Sequence, residues 1–168
     1  VVFPEIYCDE LTFPDVALRE FIKTKYDTNK DGRLEYSELS KATTIDLSGN
    51  KNIKDLTGLE NFTYLVNLHC DNTNITTMDV SKIKSLQIVT ANNVPNLKSV
   101  NVTGCDKLST LRLKNTGITS LDVTKNPKLD TLDCSKTKLT SIDVSHNPTL
   151  FNLCVTGTDI STLDVTKN

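Results

Sequence analysis

From Ala42 onward the chain repeats itself every 21–23 residues, and that period limits its fold more than any other feature. The units begin at Ala42, Leu65, Leu86, Leu108, Leu129 and Leu150. In the clearest, residues 129–149, apolar residues fall at unit positions 1, 4, 6, 11, 14 and 16: Leu129, Leu132, Cys134, Leu139, Ile142 and Val144. The unit before it gives Leu108, Leu111, Leu113, Ile118, Leu121 and Val123, and the last gives Leu150, Leu153, Val155, Ile160, Leu163 and Val165. Side chains two apart on an extended segment point the same way, so positions 4 and 6 form one inward row and positions 14 and 16 a second. One unit cannot bury those rows alone. Stacked units close them into a continuous core, each backbone pairing in parallel with its neighbours. The expected fold is therefore an α/β solenoid of parallel strands over 42–168, with six units and the last incomplete. The stretches 124–127 (TKNP) and 145–148 (SHNP) are turn chemistry for one corner of each coil. The third unit, 86–107, is irregular and one residue longer than those that follow.

A stacked aliphatic core needs few aromatic residues, and the chain has 5% with no Trp. The formal net charge is −2 with no long basic run, which argues against a nucleic-acid partner. No stretch approaches the ~20 apolar residues of a membrane span, so no membrane insertion is expected of these residues. Cys8, Cys70, Cys105, Cys134 and Cys154 are odd in number, lack a CxxC, and find no zinc spacing with His69 or His146. The repeat assigns Cys70 and Cys134 to the core and puts Cys105 in a turn. The chain opens Val1-Val2-Phe3 and stops at Asn168 within a repeat, as a piece of a longer protein would.

Residues 1–41 stand outside the repeat and are expected to form a small helical cap. A helix is expected to open around Phe13-Pro14-Asp15, with Thr12 as its cap and Pro14 in its first turn. Residues 27–38 (DTNKDGRLEYSE) then match the calcium-loop pattern of an EF-hand. Asp27, Asn29 and Asp31 take positions 1, 3 and 5, and Gly32 takes the sharp turn at 6. Arg33 offers its carbonyl at 7, Glu35 acts at 9 through a water, and Glu38 is the bidentate carboxylate at 12. Calcium is a hard cation that takes 6–8 oxygens, and alternate side chains on a curling loop supply them. The expected metal is a structural calcium; the competing reading is a metal-free turn joining two short helices. A second short helix is expected over residues 36–42.

The pattern LxxLxCxxTxLTxLDVSxN resembles the leucine-rich repeats of bacterial surface proteins, in particular internalin-like proteins with Cys at position 6. The resemblance covers about three quarters of the chain. It implies a leucine-rich-repeat solenoid exposed on a bacterial surface or secreted, binding a host or surface protein or glycan. Only Cys70 and Cys134 keep the position-6 Cys; the family's position-9 Asn, which hydrogen-bonds the inner backbone, is Thr73, Thr116, Thr137 and Thr158 in four units. The FPDxxLRxxI and DxNxDGxLxxxE segments resemble amino-terminal caps of such proteins, which would make the calcium a stiffener over the first coil.

Such solenoids bind through residues pointing out from the inner sheet. Position 3 gives Thr44, Asn67, Ile88, Thr110, Thr131 and Asn152; position 5 gives Asp46, His69, Thr90, Arg112, Asp133 and Cys154; position 7 gives Ser48, Asp71, Asn92, Lys114, Ser135 and Thr156. The expected ligand residues are Asn67, His69, Ile88, Arg112, Asp133 and Phe151, set against the plain reading of a solvated polar sheet. Position 15 carries Asp79, Asn101, Asp122, Asp143 and Asp164, expected to accept hydrogen bonds from nearby Ser, Thr and backbone amides rather than to bind a cation. His69 beside Asp46 and Asp71 lacks a nucleophile or second histidine and reads as a surface residue. A non-enzymatic binding or adhesion module is the expected function. The alternatives are a rigid spacer, or an accessory binding domain attached to a larger extracellular enzyme.

Overall fold

The computed structural model describes residues 5–168, so the first four residues of the expected cap lie outside the described residues. The cap begins with β1 (Ile6–Tyr7), followed by α1 (Val16–Tyr26), β2 (Arg33–Leu34) and α2 (Tyr36–Leu39). β1 and β2 pair antiparallel, Ile6 against Leu34 and Tyr7 against Arg33. The helix starts later than the sequence suggests. Its N-cap is Asp15 rather than Thr12: one Asp15 oxygen accepts the Leu18 amide at 2.9 Å. The other accepts the amides of Lys54 and Asp55 at 2.8 and 3.1 Å, tying the helix to the first coil. Asp15 can do both because a carboxylate has two acceptor oxygens. α2 stops at Leu39 instead of reaching Ala42; the capping box of Glu35 and Glu38 holds only this one turn.

Leu18 and Ile22 of α1, with Phe13 and Leu34, are fully buried over the first coil. Phe13 and Tyr26 each pack on Phe62, and the Tyr26 hydroxyl donates to the Thr44 carbonyl at 2.8 Å. Gly58, at φ 104°, sits so close to Phe13 that an added Cβ would meet its ring and the Thr12 carbonyl. The packing of the cap therefore requires glycine there.

The coils follow as β3 (Thr44–Asp46), β4 (Asn67–His69), β5 (Thr77–Asp79), β6 (Ile88–Thr90), β7 (Ser99–Asn101), β8 (Thr110–Arg112), β9 (Thr131–Asp133) and β10 (Asn152–Cys154). The six inner strands make one parallel sheet in the order β10-β9-β8-β6-β4-β3, each coil matched unit position to unit position. Positions 1, 4 and 6 are buried from the first coil through the fifth. In the sixth coil Leu163 and Val165 are exposed. Pairing on the return side is narrower than the repeat implies: among the described residues only β5 and β7 form a ladder there. Coils four and five are separated on that side by a groove of about 260 Å³ lined by Ser120, Asp122, Ser141 and Asp143. Hydrogen bonding holds the inner edges together while these outer edges part.

Each coil also carries a left-handed residue at position 8. Gly49, Asn72, Asn93, Asn115, Lys136 and Gly157 all have φ between 56° and 79°. Glycine and asparagine tolerate this region, whereas a lysine is strained by roughly 1–2 kcal/mol. Lys136 is held there because its amide donates to the Thr156 carbonyl of the next coil at 2.8 Å.

The opposite corner is fixed by a buried side-chain ladder. Asn126 donates to the carbonyls of Val102 and Cys105, and Asn147 to those of Val123 and Asn126. Asn168 repeats the pattern one coil on, to Val144 and Asn147. Cys105 takes the equivalent place in the longer third unit. It lies at a turn, its amide donating to the Val102 carbonyl at 3.1 Å, and is buried there, its thiol donating to the Val80 carbonyl at 3.3 Å. The position-9 threonines bond within their own coil: Thr73, Thr116, Thr137 and Thr158 each donate to the carbonyl three residues back.

Removing the Asn147 side chain takes the second donor from two carbonyls that keep the amides of Asn126 and Leu129. Replacing Asn147 with Ala should cost about 1–3 kcal/mol, since each of the two lost hydrogen bonds is worth roughly 0.5–1.5 kcal/mol. Urea unfolding of the variant against the parent chain measures it.

Candidate functional site

Two regions carry the candidate functional residues: the 27–38 loop and the inner sheet. In the loop, Gly32 adopts φ 83° and allows the turn. Asp27 is only 5% exposed and accepts the Asp31 amide on one oxygen and the Gly32 amide on the other, at 3.2 and 3.0 Å. Asn29 Oδ1 accepts the Asp31 amide at 3.1 Å, and Asp31 Oδ1 accepts the Arg33 amide at 2.9 Å. Glu38, 7% exposed, reaches back across the loop: Oε1 accepts the Thr28 amide and hydroxyl at 2.7 and 2.8 Å, and Oε2 accepts the Glu35 amide at 3.2 Å. The Arg33 side chain turns away to Glu5, at 2.9 Å, and lies over the Tyr7 ring.

Burial raises the Glu38 pKa, but the donors from Thr28 and Glu35 outweigh it and hold the group below the usual carboxylate range. Glu35 is pushed up by desolvation and by its acidic neighbours Glu38 and Asp31. The loop thus carries four carboxylates, two of them buried, with no ion pair to Asp27, Asp31, Glu35 or Glu38 among the described residues. With the Asn29 oxygen and the Arg33 carbonyl they are, by type, the donors a hard divalent cation takes. Among the described residues, however, no three Asp, Glu, His or Cys side chains are placed together so as to hold a metal ion. The carboxylates are engaged by loop amides instead.

On the inner sheet, position 5 runs in register through His69, Thr90, Arg112, Asp133 and Cys154. His69 Nδ1 lies 3.1 Å from the Thr90 hydroxyl, which is itself buried, so His69 belongs to the sheet surface and not to an acid–base pair. Asn67 donates to the Thr44 hydroxyl at 3.1 Å. Asp71 accepts the Asn92 amide at 2.6 Å, and Asn92 Oδ1 accepts the Lys114 amide at 3.1 Å. The register sets two pairs of the expected ligand residues side by side, Asn67 with Ile88 and Arg112 with Asp133, and the second pair borders a groove. Arg112 and Asp133 share a groove of about 230 Å³ with Asn92, Lys114, Thr131, Asn152 and Cys154. Asn67, His69 and Ile88 lie on earlier coils, and Phe151, 82% exposed, precedes β10. Asn92, Lys114, Thr131 and Asn152 occur at outward positions of the repeat. The repeat alone does not say which outward residues of neighbouring coils enclose space.

The buried thiols are poor nucleophiles. Desolvation pushes Cys134 up to about 12, Cys8 and Cys105 to about 11, and Cys70 higher still. On the return side every position-15 residue accepts the amide two residues on: Asp79 from Ser81, Asn101 from Thr103, Asp122 from Thr124, Asp143 from Ser145 and Asp164 from Thr166. These bonds, to hydroxyls as well as amides at Thr124 and Ser145, hold the four aspartates below the usual carboxylate range.

A lowered folded pKa contributes stability above the unfolded value, and that stability is lost as pH falls through the folded one. The melting temperature should therefore be level from pH 7 to 5 and fall below about pH 4. Replacing Asp122 and Asp143 with Asn should flatten the acid limb while keeping the turn, since Asn101 already fills that place in coil three. An acid limb unchanged in the double variant would assign the titration elsewhere.

A family model described as the endo-β-N-acetylglucosaminidase EndoS leucine-rich-repeat domain matches residues 13–147. No curated protein matches the chain in sequence. Among solved structures, an internalin (InlF) from Listeria monocytogenes aligns over 98% of this chain with a TM-score of 0.77 and 21% identity. The chain spans about half, 48%, of that internalin. Internalin C2 from the same organism aligns over 99% of this chain and 93% of its own at 19% identity, with a TM-score of 0.40. The internalin InlF likeness shows a shared fold, the parallel leucine-rich-repeat solenoid.

Proposed function

The chain belongs to the EndoS leucine-rich-repeat domain family, and from that premise we propose that it is a non-enzymatic binding module of a bacterial surface or secreted protein. Its inner sheet recognises a protein or glycan. The observation that carries the reading is the six-stranded sheet itself. It holds outward residues of successive coils in strict register, and at Arg112 and Asp133 those residues border a groove. A rigid surface of this kind binds with little loss of conformational entropy. The internalin-like fold supports an extracellular setting.

The family description supports a second reading, an accessory binding domain attached to a larger extracellular enzyme, because it names a leucine-rich-repeat domain of an endo-β-N-acetylglucosaminidase. The sequence of the whole gene distinguishes the two, because a catalytic domain in the same chain selects the second. Both readings use the same face. Capture on arrays of host glycans and surface proteins should fall at least tenfold when Ile88 and Phe151 are both changed to Ala, and again when Arg112 is. Capture unchanged by all three substitutions would move the binding site off the inner sheet.

The loop at 27–38 is a structural calcium site in this proposal. Asp27, Asn29, Asp31, Arg33 through its carbonyl, Glu35 and Glu38 supply the oxygens. Two buried carboxylates without a cationic partner support it. Bound calcium would neutralise the loop and fix α2 against the first coil. Calorimetric titration of metal-stripped protein should show one site, weakened at least tenfold in Glu38→Gln. An absence of both heat and a calcium-dependent rise in melting temperature would remove the metal from the account.

A further inference from the structure

Resting on the reading of the inner sheet as a binding face, we propose that its fourth and fifth coils take an acidic sugar, a glycan ring carrying a carboxylate. The first observation is the distribution of charge. Residues 98–138 hold eight of the 19 basic residues and only four of the 21 acidic ones, although the chain as a whole is acidic. Four of the eight, Arg112, Lys114, Lys136 and Lys138, run along the inner strands of these coils and onto the corner after them. Among the described residues the single ion pair within 4.0 Å is that of Arg33 with Glu5, so none of the eight is neutralised by a carboxylate at that distance. Arg112 even stands in register with Asp133 on the neighbouring strand. Asp133 nevertheless directs Oδ1 to the Ser135 amide at 2.9 Å, and the guanidinium is left to solvent.

The second observation is what borders the groove beside Arg112. Thr131 and Asn152 make no side-chain hydrogen bond to the described protein, and Asn92 has an amide nitrogen in the same condition. Free amide and hydroxyl groups of this kind match the alternating donors and acceptors of a sugar ring. A guanidinium presents two parallel N–H groups to a carboxylate, and a lysine ammonium adds a point charge. Asp133 has a second oxygen to accept a sugar hydroxyl. None of the lining side chains is aromatic or a large aliphatic. The hot spots of protein interfaces are rich in Trp, Tyr and Arg seated in well-packed centres. The groove has the arginine without the apolar packing, so its chemistry favours a hydroxylated anion over a folded protein.

The test is calorimetric titration of the intact chain at low salt with 3′-sialyllactose, a glucuronate-bearing disaccharide, lactose, and a glutamate-rich peptide. At least one acidic sugar should bind at least tenfold more tightly than lactose, and should weaken as salt is raised. Arg112→Ala and Lys114→Ala should each reduce that binding about tenfold or more with no change in melting temperature. Lys125→Ala, on the opposite corner, should not affect it. Equal binding of lactose would overturn the proposal, as would acidic-sugar binding that ignores Arg112. Tighter binding of the peptide with the same Arg112 dependence would replace the sugar by an acidic protein segment. Should neither acidic sugar bind while array capture still depends on Ile88 and Phe151, this inference falls and the inner-sheet reading stands.

Discussion

The structure depends on backbone hydrogen bonds that pass from coil to coil along the inner sheet. In each coil the position-6 amide donates to the position-5 carbonyl of the next, as Cys70 does to Thr90 and Leu113 to Asp133. The position-8 amide donates to the position-7 carbonyl of the next, as Asn72 does to Asn92 and Asn115 to Ser135. At the other end of the strand, one carbonyl accepts two amides: Val66 receives both Gln87 and Ile88, and Ser109 both Asp130 and Thr131. Bonds at this spacing hold the coils in register and let the inward rows touch. The left-handed residue at position 8 makes the second set possible, because it turns the amide back toward the next coil just where the strand ends.

The far corner uses a different device for the same purpose. Asn126 and Asn147 are fully buried, and each side-chain amide spans two carbonyls of the coil before it. Their Oδ1 atoms have no hydrogen-bond partner among the described residues, and each unsatisfied acceptor carries a desolvation cost that the two donated bonds must exceed. Between these two corners the return segments of coils four to six need no ladder of their own. The inner sheet is thus the continuous surface of the molecule, and the return side is held by turns and by the aspartate row.

Much of this was legible in the repeat. The apolar positions, the parallel register and the hydrogen-bonded role of the position-15 aspartates all follow from period and side-chain chemistry. The burial of Asn126 and Asn147 does not, since Asn-Pro reads as exposed turn chemistry until the preceding coil supplies its carbonyls. Cys105 reads as a turn residue, and it is one, but its burial is hidden for the same reason, with the extra residue of the third unit masking its alignment to those asparagines. The left-handed position was masked by Lys136, a residue type that does not announce a positive φ. Thr12 was a reasonable cap by type, but Asp15 has the second oxygen that also reaches the first coil. For the candidate site, the outward positions were readable. Their grouping into a groove was not, because it depends on which side chains of adjacent coils remain free of partners. Arg112 is the residue on which both lines of evidence meet.

If the inner ladder governs the fold, its amides open only with the whole stack. Native-state hydrogen exchange, read residue by residue, tests that most directly. The account predicts that the amides of Cys70, Asn72, Ala91, Asn93, Leu113 and Asn115 exchange most slowly and with nearly one opening free energy. The return-side amides of Leu121 and Ile142 should exchange much faster. Faster exchange at the position-8 amides than on the return side of coils four and five would contradict it, and would place the stability of the solenoid somewhere other than its inner sheet.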